Sequence, residues 1–226
     1  MLKNHVVIIR MHYPIDSPKF DWRFSYFASM VLPRLLRQKN QDFDIAIRCN
    51  PAHADLFRSL SDRIIPFTIR PEAEGKIKEG YERKARRFFV DFIPWADVMG
   101  LEKYRIQTTL DSDDLLLRTD YIDKIEETFK GLKTSAHLSF QPYIFQVSTL
   151  RVFTCPIKYN RDKGSAFYSI YQPNESDYIF AYDTSHLKMS RKFKQKFFIN
   201  EGYCAFSVHH ANSSSYLYRA SKPILP

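Results

Sequence analysis

The chain has 226 residues, 44% of them hydrophobic and 15% aromatic, and a formal net charge of +9 at pH 7. Such a length and apolar content predict one globular core and exclude a disordered chain, and no apolar run approaches the ~20 residues of a membrane span. Cys49, Cys155 and Cys204 are odd in number, far apart and without C-x-x-C spacing, which excludes a disulfide framework or a zinc site. A reducing cytoplasm is the simplest compartment. The excess of Lys and Arg predicts a surface that attracts anions: nucleotide diphosphates, anionic lipid head groups or nucleic acid.

The opening Met1–Arg10 has too short an apolar core for a signal peptide and lacks a small-residue cleavage site. It reads as a first strand, Val6–Arg10, apolar on both faces like a central parallel strand. After a loop with Pro14 and Pro18, Asp21 is a candidate N-cap for a helix from Trp22. Phe27, Val31 and Leu35 recur at fours, and Pro33 predicts a kink or a restart. Phe43–Arg48 is a second strand, Ala52–Leu60 a short helix and Arg63–Thr68 a third strand. Arg70–Arg87, rich in Glu, Lys and Arg, predicts a mobile charged excursion whose Lys84–Arg87 end could close over a diphosphate. Phe88–Asp97 resumes an amphipathic helix.

Tyr104–Leu110 alternates as a strand, with Tyr104, Ile106, Thr108 and Leu110 on one face and Arg105, Gln107 and Thr109 on the other. Thr119 or Asp120 caps a helix with Ile122, Ile125, Phe129 and Leu132 on one face and Gly131 at its end. His137–Gln146 and Thr149–Cys155 read as strands paired across Val147–Ser148. Tyr178–Tyr182 is a further strand, Ser185–Lys196 a basic helix and Tyr203–His209 a late strand. Strands and helices alternate to Leu132 and strands dominate afterwards. This predicts an α/β fold with a central mixed, mostly parallel sheet flanked by helices.

The most informative stretch is Leu110-Asp111-Ser112-Asp113-Asp114, three carboxylates at the end of a strand. In open α/β sheets ligands bind outside the carboxyl ends of the strands. Asp111 and Asp113, two apart, can both reach one hard cation, Mn²⁺ or Mg²⁺. A cation held there would bind a diphosphate and neutralise it as it leaves. An EF-hand loop is excluded, because Leu115 and Leu116 stand where it needs an oxygen ligand and a glycine. An aspartyl-phosphate phosphatase usually has Thr or Val where Leu115 stands. A turn with solvated acids needs none of this chemistry.

Arg10 after the first strand, Phe20-Asp21-Trp22-Arg23, Val31–Leu36, Gln41-Asp42-Phe43, Thr109–Asp114 and Val208-His209-His210-Ala211-Asn212 occur in that order. Together they resemble the bacterial rhamnosyltransferase family of GT-A glycosyltransferases over about residues 5 to 215. The resemblance implies a single GT-A-like domain, 1–226. Its nucleotide-sugar-binding half would be about 1–132 and its acceptor-side half about 133–226. It also implies transfer of a sugar from a nucleotide diphosphate donor to a hydroxyl of a glycan or lipid-linked acceptor. By similarity Asp113 ligates the metal directly, Asp111 contacts the ribose or reaches the metal through water, and Asp114 supports the site. His209 falls on the family's late histidine. Neighbouring strand residues face opposite ways, so at most one of His209 and His210 ligates, and His209 is the choice.

Arg10 and Arg23 are candidates for gripping the nucleotide's phosphates, since a guanidinium can bind phosphate oxygens at two points. Tyr13 is a candidate for stacking on its base. An inverting transfer needs a general base. Asp177, Asp183 and Glu201 are candidates, and Asp183, at a strand-to-helix junction, is the choice; as a plain helix cap it would have no such role. Polysaccharide or lipid-linked glycan synthesis at the inner membrane face, with peripheral attachment, follows from the family and the basic charge. Two rivals share parts of the pattern. A metal-dependent phosphohydrolase would use the same acids to activate water. A basic nucleic-acid-binding domain fits the charge, but no recognition module is present and no nucleic-acid partner is expected.

Overall fold

The first strand, β1 (His5–Met11), is buried on both faces inside a seven-stranded sheet. The computed structural model describes residues 4–11, 13, 17–67, 100–101, 103–162, 164–173, 179, 181 and 186–208. On one side β1 pairs in parallel with β2 (Phe43–Cys49), which pairs in parallel with β3 (Ile64–Phe67). On the other side it pairs in parallel with β4 (Ile106–Asp111). The three strands expected by Thr68 are therefore present. The charged segment Arg70–Arg87 and the helix expected over Phe88–Asp97 lie outside the described residues.

Two short antiparallel steps then restore the parallel direction. A strand missed in the sequence reading, β9 (Tyr168–Tyr171), runs against both β4 and β6 (Ala136–Phe140). The edge strand β10 (Gln195–Ile199) is parallel to β6. So β4, β6 and β10 all point their carboxyl ends to one edge. A second, four-stranded sheet holds β5 (Leu115–Leu116), β11 (Cys204–Val208), β7 (Tyr143–Gln146) and β8 (Arg151–Thr154), in that order. The expected hairpin exists as β7 and β8, but the run His137–Gln146 is not one strand. It breaks at Gln141–Pro142 into β6 and β7, which belong to different sheets; Pro142 has no N–H to continue a ladder.

Helix α1 (Pro18–Tyr26) begins four residues before the expected start, with Pro18 in its first turn and Ser17 at the cap position. Asp21 thus sits inside the first turn, where an acid favours the helix dipole. The restart expected from Pro33 is a π-helical turn, Phe27–Val31, closed by Leu32 N donating to Phe27 O. A second helix, α2 (Leu32–Leu36), follows it and takes Pro33 in its first turn. The expected Ala52–Leu60 helix is a 3₁₀ turn, Pro51–His53, and α3 (Ala54–Arg58). In α4 (Tyr121–Phe129) the residues Ile122, Ile125 and Phe129 are buried as expected, and Gly131 at φ 77° ends the run. Asp120 occupies the cap position, but its carboxylate pairs with Arg118. Gln38 caps α4 instead, its Oε1 accepting from Tyr121 N (3.0 Å) and Ile122 N (3.3 Å).

The expected basic helix Ser185–Lys196 is shorter. The helix α5 (His186–Met189) and a 3₁₀ turn Ser190–Lys192 give way to β10, because Met189 and Phe193 bury against the sheet and pull the chain into it. The strand expected over Tyr178–Tyr182 falls mostly outside the described residues. Val7, Ile9, Ile45, Leu110, Leu138 and the helices α1, α2 and α4 form the core on one face of the large sheet. Val6, Ile8, Tyr104, Tyr168, Ile170, Met189 and Phe193 form it on the other. Tyr104 precedes β4 and joins this second face, not that of Ile106, and donates its hydroxyl to Asp44 (2.6 Å). A buried polar chain fixes the register of three strands: His5 Nε2 to Thr108 Oγ1 (2.7 Å) and Thr108 Oγ1 to Ser169 Oγ (2.7 Å). Among the described residues no helix is long and apolar enough to cross a membrane.

Candidate functional site at the carboxyl edge of the sheet

β1 and β4 are adjacent and parallel, in a register that sets Arg10 directly beside Asp111. Both stand at the carboxyl edge, where side chains leave the core and reach solvent; each is about one-third exposed. Arg10 donates from Nη2 (2.8 Å) and Nε (3.3 Å) to Asp111 Oδ1. The chain then turns tightly, Asp114 N bonding Asp111 O (3.1 Å), and enters β5. This turn points the three acids in different directions. Asp113 forms an ion pair with Arg23 of α1, and Asp114 points inward.

The inward carboxylate is held by the second sheet. Ser207 N of β11 donates to Asp114 Oδ1 (3.2 Å), and Ser207 Oγ shares a hydrogen bond with the Tyr26 hydroxyl (2.9 Å). Tyr26 stacks on Trp22 at 5.2 Å, so the helix bearing Arg23 is fastened at the same point. Burial, reinforced by the charges of Asp113 and Asp111, raises the Asp114 pKa well above the carboxylate range. Burial pulls the Arg23 guanidinium down, but the Asp113 carboxylate outweighs it and holds the group above its ordinary value. Burial also pushes the Tyr26 hydroxyl up to about 12. Tyr13 lies near enough to Arg23, Asp113, Asp111 and Arg10 for its hydroxyl to feel all four, and burial raises its pKa.

Four of the residues singled out in the sequence, Arg10, Arg23, Asp111 and Asp113, therefore stand together, with Tyr13 beside them. His209, His210, Asp177 and Asp183 lie outside the described residues. Glu201 is not at this place: it pairs with Arg118 (3.3 Å), past the opposite end of β5. Ser207 and Tyr26 carry only a weak signal in the sequence. A hydroxyl two residues before His209 on a strand was the only available clue to the former, and the helical spacing of Trp22 and Tyr26 to the latter.

Among the described residues no three side chains of the metal-ligating types converge. Asp111 and Asp113 alone suit a hard cation of the Mg²⁺ kind, which needs one or two carboxylates and completes its shell with water and substrate phosphates. Each carboxylate already faces a guanidinium, so a cation would have to share or displace it.

A parallel α/β sheet with an acid-ended strand at its carboxyl edge, extended by an antiparallel strand and a small second sheet, is a GT-A-like architecture. The sequence matches the model of the family described as “Putative rhamnosyl transferase” over residues 9–220, and the chain belongs to that family. Among solved structures it resembles S. aureus TarS 1-349 in complex with UDP-GlcNAc, with a TM-score of 0.55, 10% identity, and coverage of 94% of this chain and 60% of that one. It also resembles S. aureus TarS 1-349 in complex with UDP, with a TM-score of 0.50, 10% identity, and coverage of 96% and 63%. At this identity the likeness is one of fold, and the chain spans about 60% of the TarS chain. A search of curated proteins gives no match.

Proposed function

We propose that the protein is a metal-dependent glycosyltransferase that moves a sugar, rhamnose by its family, from a nucleotide diphosphate donor to a hydroxyl of a glycan or lipid-linked acceptor. The observation that carries this reading is the pairing of Arg10 with Asp111 and of Arg23 with Asp113 on one sheet edge. Carboxylates for a cation and guanidiniums for phosphates are both required by a nucleoside diphosphate, and here they are interleaved. A phosphohydrolase would use the same acids and arginines, but the family match over residues 9–220 favours transfer.

Asp111 and Asp113 would hold Mn²⁺ or Mg²⁺, with His209 as a further ligand. Bound there, the cation supplies positive charge to the diphosphate as its bond to the sugar breaks. Arg10 and Arg23 sit at those same carboxylates and grip the phosphate oxygens, adding charge-assisted hydrogen bonds. Tyr13 covers the nucleotide from the side of β1. Asp183 takes the proton from the acceptor hydroxyl. Asp114, turned inward onto Ser207, holds the turn so that Asp111 meets Arg10 and Asp113 meets Arg23. In this reading residues up to about 132 bind the donor and later ones the acceptor, in the cytoplasm, with peripheral attachment to the inner membrane face.

Thermal-shift titration with UDP, GDP and dTDP, each with and without Mn²⁺, on wild type and Asp113→Ala tests this. Stabilisation by one nucleotide that requires Mn²⁺ and vanishes in the variant is expected. No shift with any nucleotide–metal pair would sink the transferase reading.

A further inference from the structure

A cleft of about 350 Å³ opens at the same carboxyl edge as Asp111, but further along it, between β6, β10 and the β7–β8 hairpin. Its volume lies at the low end for small-ligand sites. Gln141 follows β6 and Asn200 follows β10, while Asp111 ends β4. β6 is two strands from β4 and β10 three, so the cleft stands about 10–15 Å from the acids. It is too far to hold the donor diphosphate and close enough to hold a chain that reaches it.

The cleft is built, not incidental. Gln141 Nε2 donates to Ile157 O (2.9 Å) and its Oε1 accepts from Tyr159 N (3.0 Å), fixing the loop that presents Lys158 and Tyr159. Tyr143, Tyr159 and Phe198 are half-buried aromatic walls, and Lys158 and Asn200 are exposed polar groups at the mouth. Tyr143 owes its position to Gly202: a Cβ there would lie 2.2 Å from the tyrosine Cε2. Aromatic faces flanked by a few polar groups suit a sugar ring, which has both C–H faces and hydroxyl edges.

The charge around the mouth narrows the class. Lys158 is the one charged residue among those lining the cleft, and no acid lines it. Asp162 pairs through its Oδ1 with Lys196 (3.0 Å), and its carbonyl accepts from Ser190 Oγ (3.0 Å). The loop that carries Lys158 is thereby tied to β10 and to the turn before it. We propose that this cleft is an acceptor subsite for an anionic saccharide, a sugar unit bearing phosphate or carboxylate, with Lys158 reading the charge. The inference rests on the transferase reading and specifies its acceptor.

Ligand-observed NMR titration with glucose 6-phosphate and glucuronic acid tests it, with glucose and inorganic phosphate as controls, in the presence of UDP and Mn²⁺. Both anionic sugars should bind more tightly than either control. Lys158→Glu should weaken them by about tenfold or more, since an attractive charge becomes repulsive. Gly202→Ala should weaken all the sugars by pushing the Tyr143 ring into the cleft, and UDP should still stabilise both variants. UDP stabilisation with no response of sugar binding to Lys158→Glu overturns the subsite alone. Absence of UDP stabilisation in wild type overturns it together with the transferase reading. Binding of phosphatidylglycerol vesicles with no binding of either anionic sugar would assign Lys158 to a lipid surface and overturn the subsite also. Phosphate acting as strongly as glucose 6-phosphate, which means ion binding without a sugar, would do the same.

Discussion

Replacing Arg23 by Met removes the cation facing Asp113 and keeps a long unbranched side chain in its place. The two side chains are 16% and 9% exposed. The pair thus falls between an exposed ion pair, worth about 0–1 kcal/mol, and a fully buried one, where removing one partner costs about 3–5 kcal/mol. A loss of about 2 kcal/mol follows at pH 7. At about 2–4 °C per kcal/mol for a domain of this size, Tm should fall by about 4–8 °C. Adding Asp113→Asn takes away the stranded charge, so the double variant should melt above Arg23→Met, with a coupling energy of at least about 1 kcal/mol. Melting of wild type, the two single variants and the double variant by circular dichroism at pH 7 measures this. Additive effects in the cycle, or an unchanged Tm for Arg23→Met, would refute the pairing as the organiser of the site.

Three other positions give independent tests. His137 is fully buried, stacked on Tyr168 at 5.4 Å, with neither ring nitrogen hydrogen-bonded and its pKa pushed down to about 3 by burial. The unfolded chain takes up its proton near pH 6.5 and the fold resists until about 3, so stability present above pH 6.5 drains away as pH falls, by up to about 1.4 kcal/mol per unit. His137→Phe should flatten that slope in urea titrations between pH 6.5 and 4. Leu150 lies in the β7–β8 turn at φ 56° and is 68% exposed. Leu150→Gly should relieve left-handed strain and raise stability by about 1 kcal/mol, read as a higher urea midpoint. Gln38→Ala removes the cap of α4 and the bond to Arg118 O (2.8 Å), and should cost about 1–3 kcal/mol by thermal melting.

The parts of the fold legible in the sequence were those where one chemical pattern dominates. β1 is built on the apolar run Val6–Ile9 and β2 on Ile45–Ile47, and α4 repeats its apolar residues at helical spacing before a glycine. The acids after Leu110 could be placed at a strand end because alternation stops there. What escaped was decided by distant partners. β9 is four residues long and is a strand because it fits between β4 and β6, where Thr108 and Ser169 hydrogen-bond. The cap of α4 comes from Gln38, more than 80 positions away, so the local candidate Asp120 was free to pair with Arg118. The basic run after Ser185 has helical composition, yet the burial of Met189 and Phe193 turns it into an edge strand, whose Lys196 also guards the edge against pairing with other chains.

The same distinction explains the acids. Sequence spacing identifies Asp111 and Asp113 as neighbours on one strand end but says nothing of how they avoid repelling each other. The structure answers with three different environments within four residues. Asp111 is matched by Arg10 through strand register, Asp113 by Arg23 through a helix fastened at Tyr26 and Ser207, and Asp114 is withdrawn into a buried site that favours its protonated form. The first two each lie beside a guanidinium, and of these Asp111 is the more exposed. An isolated carboxylate pair there would be costly to the fold. Balanced in this way, the site can be preorganised before any ligand arrives, and in the proposed reading an incoming diphosphate with its cation would exchange one set of charge pairs for another without leaving a buried charge unmatched.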